Sequence, residues 1–476
     1  MKNTGRSLGG VLTALGLCAF STSLGAQSEE HPLTDAAYVA GYKAAFICSA
    51  TFNAGKTLPD IERQELDGIY TDYVDGFNLL PDAVIDPEAR TVSVEYSHTL
   101  PPRIAAWRPN LGCSQLPPLA SAETVSLLPA IDFQVPERAP DAPWSELAVI
   151  NAPHDNTALE AALQKAFAAP GAGYGRNART SALLIASPTE ILVERYIDGF
   201  NERTSQRTWS VAKSIAASVL GAAVHDGILE VNAPTGLKAW QSPGDPRAQI
   251  QIKHLLHMAS GLDSNRVGSR TDRLYFGGGT VSQTALQASA EATPGTRFKY
   301  ANNDTLLAVR SLREALGDDQ RFWRYPFEAL FHKIGMLDTV PEMDWQGDFV
   351  LSSQVWTTAR DLARLGLLHL NDGVWNGERI LPEGWVDFIA APAPAQTPAG
   401  RAGYGAQWWL YGLADHHPDL PAGTYAARGN RGQILMVIPE EDLVIVRRGY
   451  DIAGGPGFQI HDFARDVLAA LKSSGH

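Results

Sequence analysis

Clustered positive charge is missing from this sequence. Its 39 Lys and Arg residues are scattered against 52 Asp and Glu, giving a formal net charge of −13, and no Lys/Arg block overrides that balance. A nucleic-acid-binding role is therefore not expected. Cysteine is scarce, with three residues in 476. No second Cys or His stands at finger-like spacing from them, which argues against a structural zinc module. Neither Gly-x-Gly-x-x-Gly after a strand nor Gly-x-x-x-x-Gly-Lys-Ser/Thr occurs, so a doubly wound nucleotide-binding fold fits poorly. The apolar run from Leu8 to Phe20 is too short for a permanent bilayer anchor.

What is present describes an ordinary globular chain long enough for two domains: 45% hydrophobic residues, 19% charged residues and 30 prolines. Lys2 and Arg6 precede the Leu8 to Phe20 run, and the small-residue segment Ser21 to Ala26 follows it. That order is the order of a secretory signal, so residues 1–26 read as a leader and the mature protein as secreted or periplasmic, without stable membrane insertion. The bulky Leu17 before Cys18 argues against a lipobox. After cleavage only Cys48 and Cys113 remain, and an oxidising compartment favours a disulfide between them; two buried thiols are the alternative.

Residues 27–145 form a leading extension with few clear periodic elements and no recognisable chemistry. Within it Gly41 to Phe52 carries mixed apolar positions, Ile61 to Leu79 reads as helical, and Pro136 to Pro143 reads as a linker. A helix is expected over Asn156 to Ala168, a strand pair over Ala182 to Ala186 and Ile191 to Ile197, and a helix from Ser210 to about Val224. The stretch 228–400 reads as helices and long loops. Strands follow at Gln433 to Ile438 and Leu443 to Arg448, and a closing helix at Phe458 to Leu471. The economical fold is an α/β domain with a mostly antiparallel sheet, assembled from 146–227 and 401–476, with a mainly helical domain at 228–400 inserted between its halves.

Ser210-Val211-Ala212-Lys213 places a hydroxyl and an amine about one helical turn apart. A serine hydroxyl is a poor nucleophile without a base, and the positive helix N-terminus disfavours a protonated lysine there. The bland reading is a capping serine and a surface lysine. Against it, Ser214, Ala216, Ala217, Ser218, Gly221 and Ala222 make the helix small-sided, as a closely packed central helix would be. In Pro294-Gly295-Thr296-Arg297-Phe298-Lys299-Tyr300-Ala301-Asn302, Tyr300 and Asn302 share a side if the stretch is extended. A phenol beside Lys213 can relay the serine proton, and an amide can order the substrate or the lysine; an ordinary loop tyrosine is the alternative.

Ser210-Val211-Ala212-Lys213, Tyr300-Ala301-Asn302 and Gly429-Asn430-Arg431-Gly432-Gln433 together resemble the three ordered motifs of the serine β-lactamase and penicillin-binding-protein superfamily. The tyrosine motif, Leu255-Leu256-His257-Met258-Ala259-Ser260-Gly261-Leu262 and the stretch from Thr357 to Arg364 are similar to the class C β-lactamase branch, nearest to its 6-aminohexanoate-dimer hydrolase group. The resemblance implies a β-lactamase/transpeptidase-like fold, with an antiparallel sheet flanked by helices, an all-helical domain, and the active site between them. It implies Ser210 as nucleophile, Lys213 as base, Tyr300 as proton relay and Asn302 as a substrate-binding asparagine. Arg431-Gly432-Gln433 stands where the penicillin-recognising enzymes have Lys-Thr-Gly. In that register Arg431 pairs with a substrate carboxylate, Gln433 lines the site, and the N–H groups of Ser210 and Ile434 form an oxyanion hole; a shifted register would bring Gly429 into play. The missing threonine hydroxyl argues against efficient β-lactam turnover. Tyr404, Gln407, Trp408 and Trp409 are candidate cleft-lining residues, with core packing as the alternative.

These features imply two-step hydrolysis of an amide or ester in a small, linear substrate, with no metal or organic cofactor required. A D-alanyl-D-alanine peptidase or β-lactamase is the neighbouring alternative, and a catalytically silent binding protein of the same fold is the alternative from another class. A metallohydrolase built on His254 and His257 lacks a third ligand in sequence. Ser260, Trp356 and Asp361 read as structural.

Overall fold

The computed structural model describes residues 32–69, 71–137, 156–264, 275–399 and 401–473. The expected leader at 1–26 and most of the expected linker at 136–143 lie outside these residues.

A seven-stranded sheet forms the centre of the protein. Its order is Gly403–Tyr404, Trp409–Leu410, Tyr425–Gly429, Gln433–Ile438, Leu443–Gly449, Thr180–Ala186 and Ile191–Tyr196, with every neighbouring pair antiparallel. Side chains of the inner strands alternate between two cores, as a period of two requires. Leu183, Ile185, Met436 and Ile445 face helices Thr157–Ala166 and Ile460–Ser473, whereas Leu184, Leu435, Val437 and Val446 face helices Val211–His225 and Ala359–Leu370. Asn156 caps the first of these helices by accepting the Leu159 N–H at 2.9 Å.

The inserted region carries helices Ile252–Leu256, Val281–Leu286, Asn302–Leu316 and Asp319–Pro326, the last running into a π-helical turn, Phe327–Phe331. Helix Ala359–Leu370 falls inside the 228–400 stretch in sequence but packs on the sheet. Its amphipathic pattern gives no hint of which neighbour its apolar face will meet.

The extension is more ordered than its sequence suggests. Helix Pro32–Ala54 lies on a four-stranded antiparallel sheet, Val84–Asp86, Thr91–Val94, Arg103–Arg108 and Gly112–Gln115. The expected helix over Ile61 to Leu79 is broken, with a π-helical turn at Glu62–Leu66 and a fresh helix at Thr71–Leu79. Cys48 of the long helix and Cys113 of the last strand form the expected disulfide, with Cα atoms 6.1 Å apart. Tyr42, Phe46, Val92 and Ala105 build the extension's core, which merges with Trp209, Phe276, Leu306 and Trp356 of the main body. Fully burying one such large apolar side chain contributes about 1.5–3 kcal/mol, so this seam joins the extension firmly to the rest.

Candidate active site

The chain reaches the central helix through the short strand Gln206–Arg207, paired with Val355–Thr357, and the Thr208 N–H bonds the Val355 carbonyl at 2.8 Å. Trp209 then turns with φ +50, and Ser210 stands at the helix start. Its hydroxyl makes no capping hydrogen bond, so the capping-serine reading fails. The surface-lysine reading fails too, because Lys213 is 1% exposed.

Lys213 Nζ lies 2.6 Å from Asn302 Oδ1, 2.7 Å from the Ser352 carbonyl oxygen and 3.3 Å from Ser210 Oγ. Burial, with no opposing carboxylate, lowers the Lys213 pKa to about 7. A neutral amine has two N–H groups and one lone pair. Asn302 and Ser352 accept the two N–H groups, and the lone pair is left for Ser210. Asn302, expected at the substrate, thus orders the lysine from the first position of helix Asn302–Leu316.

Tyr300 precedes that helix on a stretch tied back by the Lys299 N–H to the Met258 carbonyl at 2.8 Å. Its ring centroid is 5.1 Å from Lys213 Nζ. Burial pushes the phenol well above the usual tyrosine range, while a hydrogen bond with Ser210 opposes that shift. Tyr300 is therefore a neutral hydroxyl at neutral pH, able to pass a proton on but not to act as a standing phenolate. Trp409 lies beside it, ring centroids 5.5 Å apart, and Tyr404 packs edge-on to both.

Opposite Ser210 lies the end of strand Tyr425–Gly429. A Cβ on Gly429 would sit 3.1 Å from the Ser210 nitrogen and 2.2 Å from the Thr208 carbonyl oxygen, so only glycine permits this approach. Of this strand only Tyr425 and Ala426 pair with the neighbouring strand Trp409–Leu410, so residues 427–429 extend beyond it. A polar cavity of about 170 Å³ adjoins this strand end, lined by Arg428, Gly429, Asn430, Asp451 and the glycine-rich loop after it.

Residues 163–447 match the family model described as Beta-lactamase. The chain belongs to the beta-lactamase family. It is 27% identical over 293 residues to the 6-aminohexanoate-dimer hydrolase of Paenarthrobacter ureafaciens, covering 56% of this chain and 72% of that protein. Among solved structures it is similar to a family VIII carboxylesterase (TM-score 0.52, 16% identity, 68% of this chain and 98% of that one). It is also similar to a penicillin-binding protein homolog from Caulobacter crescentus (TM-score 0.52, 15% identity, 68% and 98%). These two likenesses are likenesses of fold.

Within this beta-lactamase-family chain the third segment needs correction. Arg431 is buried, and all five of its N–H groups donate to backbone carbonyls: those of Gln64, Glu65, Asp67, Tyr450 and Asp451. None is left for a substrate carboxylate. Gln433 is buried in the same way, donating to the Arg431 and Gly449 carbonyls and accepting from Arg448 Nε. Ile434 pairs with Arg428 on one side and Arg447 on the other, so its N–H points at a neighbouring strand and not into the cleft. The residue that meets Ser210 is Gly429, four positions before Gln433, which puts Ala427 and Arg428 in the places expected for Arg431 and Gly432. Arg428 is exposed at the cavity and makes no ion pair among the described residues.

Sequence reasoning also passed over Ser352, which contributes only a backbone carbonyl, and Tyr275, whose hydroxyl lies 2.5 Å from Ser352 Oγ. Neither has a sequence signature. The remaining candidates are structural. His254 Nδ1 accepts the Gln251 N–H at a helix start, and the His257 ring packs on Phe388. Among the described residues no group of three His, Cys, Asp or Glu side chains could hold a metal ion. Ser260 donates to Asp304, and Gln407 ties the Leu255 and Leu256 carbonyls to Thr305. Trp408 is a core residue beside His369.

Proposed function

We propose that this protein is a serine hydrolase that cleaves an amide or ester bond in a small, linear substrate through an acyl-enzyme on Ser210. The observation that carries the reading is the Lys213 environment. Burial lowers its pKa to about 7, so a large share of the amine is neutral at neutral pH. In that form its two N–H groups are engaged by Asn302 and Ser352, which leaves the lone pair for Ser210. Lys213 accepts the Ser210 proton as Oγ attacks the carbonyl carbon. The Ser210 N–H and the end of strand Tyr425–Gly429 flank the developing oxyanion. Tyr300 passes the proton to the leaving amine or alcohol, and water releases the acyl group by the same route reversed.

The likeness to a 6-aminohexanoate-dimer hydrolase supports a linear substrate. Ala427 and Arg428, standing where penicillin-recognising enzymes carry lysine and threonine, speak against β-lactam turnover. Export to the periplasm or medium is part of this reading; the Cys48–Cys113 disulfide supports it.

The test is a fluorophosphonate probe together with a panel of nitrophenyl esters, short linear amides, D-Ala-D-Ala peptides and a chromogenic cephalosporin. Labelling and hydrolysis are expected in the wild type and absent in Ser210→Ala, with a loss of roughly 10⁴-fold or more. Activity unchanged in that variant would sink the mechanism, and efficient cephalosporin turnover would move the substrate class to β-lactams.

A further inference from the structure

The two chain segments that meet at the candidate oxyanion site share an uncommon feature. Trp209, directly before Ser210, has φ +50, and Arg431, directly after Asn430, has φ +58. Both are bulky non-glycine residues in left-handed backbone, a conformation that persists only where surrounding contacts enforce it.

At both positions residues 32–69 contribute contacts, and these lie outside the 163–447 match to the family model. The Trp209 ring is buried in the core of helix Pro32–Ala54, with its centroid 5.6 Å from that of Phe46. Phe46 also carries the Arg207 guanidinium 3.7 Å above its ring, two residues before Trp209. On the other side, three of the five carbonyls that hold Arg431 belong to Gln64, Glu65 and Asp67. That turn is itself fixed: Lys56 pairs with Glu65 at 2.5 Å and bonds the Tyr450 hydroxyl at 2.6 Å, and the Gly68 carbonyl accepts the Ala453 N–H at 2.7 Å.

We propose that the N-terminal extension is a positioning part of the active site: by holding Trp209 and Arg431 in left-handed backbone it sets the spacing between the Ser210 N–H and the Gly429 strand end. This rests on the hydrolase reading above. Phe46 and Arg431 are its positioning residues, and neither touches the reacting atoms.

The experiment compares Arg431→Ala with Arg431→Gly. Both lose the same five hydrogen bonds, but only glycine adopts φ +58 without strain. The measurements are kcat and KM on a neutral nitrophenyl ester and the fluorophosphonate labelling rate, taken well below each variant's Tm. Arg431→Ala and Phe46→Ala are expected to lower kcat and the labelling rate roughly 10- to 100-fold with KM within about twofold. Arg431→Gly should recover most of that loss. Leu116→Ala, in a separate small core of the extension, controls for destabilisation and should keep wild-type kcat. Arg431→Gly as slow as Arg431→Ala, or Leu116→Ala as slow as Phe46→Ala, overturns the proposal while the hydrolase reading stands. A wild-type protein that takes no label overturns both.

Discussion

Arg428 and Arg431 stand three residues apart on the same turn, each followed by glycine, and they do opposite things. Arg431 is buried and spends every N–H on a backbone carbonyl, so its charge serves the fold. Arg428 lies exposed beside the polar cavity, with no ion pair among the described residues. The same contrast holds for the glycines. Gly432 needs its left-handed φ of +77, whereas Gly429 has an ordinary backbone and is required by the close approach of Thr208 and Ser210. A side chain's role here follows from how many of its partners the fold has already supplied. Its residue type decides less.

That contrast can be broken in several ways. The largest effect is expected from Gly429→Ala, whose new methyl would press on the Thr208 carbonyl and shift the strand end away from Ser210. A loss in kcat/KM of roughly 10²- to 10³-fold is expected for nitrophenyl esters.

The pH profile is next. The neutral form of Lys213 is the active one, and its pKa is lowered to about 7. Activity should therefore be full above that pH and fall about tenfold per pH unit below it, by titration of kcat/KM. A flat profile between pH 5 and 8 would remove Lys213 as the base.

Arg428→Glu should leave hydrolysis of a neutral ester within about twofold and raise KM for a carboxylate-bearing one by roughly tenfold. Arg431→Ala should lower kcat on both esters alike. Equal effects of the two substitutions on the two esters would erase the distinction between the arginines.

The smallest effect on catalysis is expected from the disulfide. Replacing Cys48 and Cys113 with Ala opens a loop spanning 65 residues and should reduce unfolding stability by about 2–4 kcal/mol in denaturant titrations. Chemistry at Ser210 should persist at temperatures where the variant stays folded.

The helix after Ser210 was legible because its small residues and its i, i+3 pair carry their own signal. The hairpin Gln433–Ile438 to Leu443–Gly449 was legible because two apolar runs flank a Pro439 turn. The register of the third segment was not, since Arg-Gly occurs twice within five residues and local sequence cannot choose between the copies. The extension's sheet was hidden as well. Its strands are three to six residues long and set among prolines, so no period had room to develop.

By itself the sequence determined the Ser210–Lys213 pair, the tyrosine motif that accompanies it, and the antiparallel sheet with helices around it. The pair and the sheet follow from short-range spacing and periodicity, and the tyrosine motif from the resemblance of the three ordered segments to those of the family. Only the tertiary structure decided that Asn302 serves the lysine, that Gly429 and not Gln433 meets Ser210, and that Arg431 is clasped by a segment more than 360 residues away in sequence. Those outcomes depend on which hydrogen-bond partners arrive from distant chain segments, and no local pattern records that.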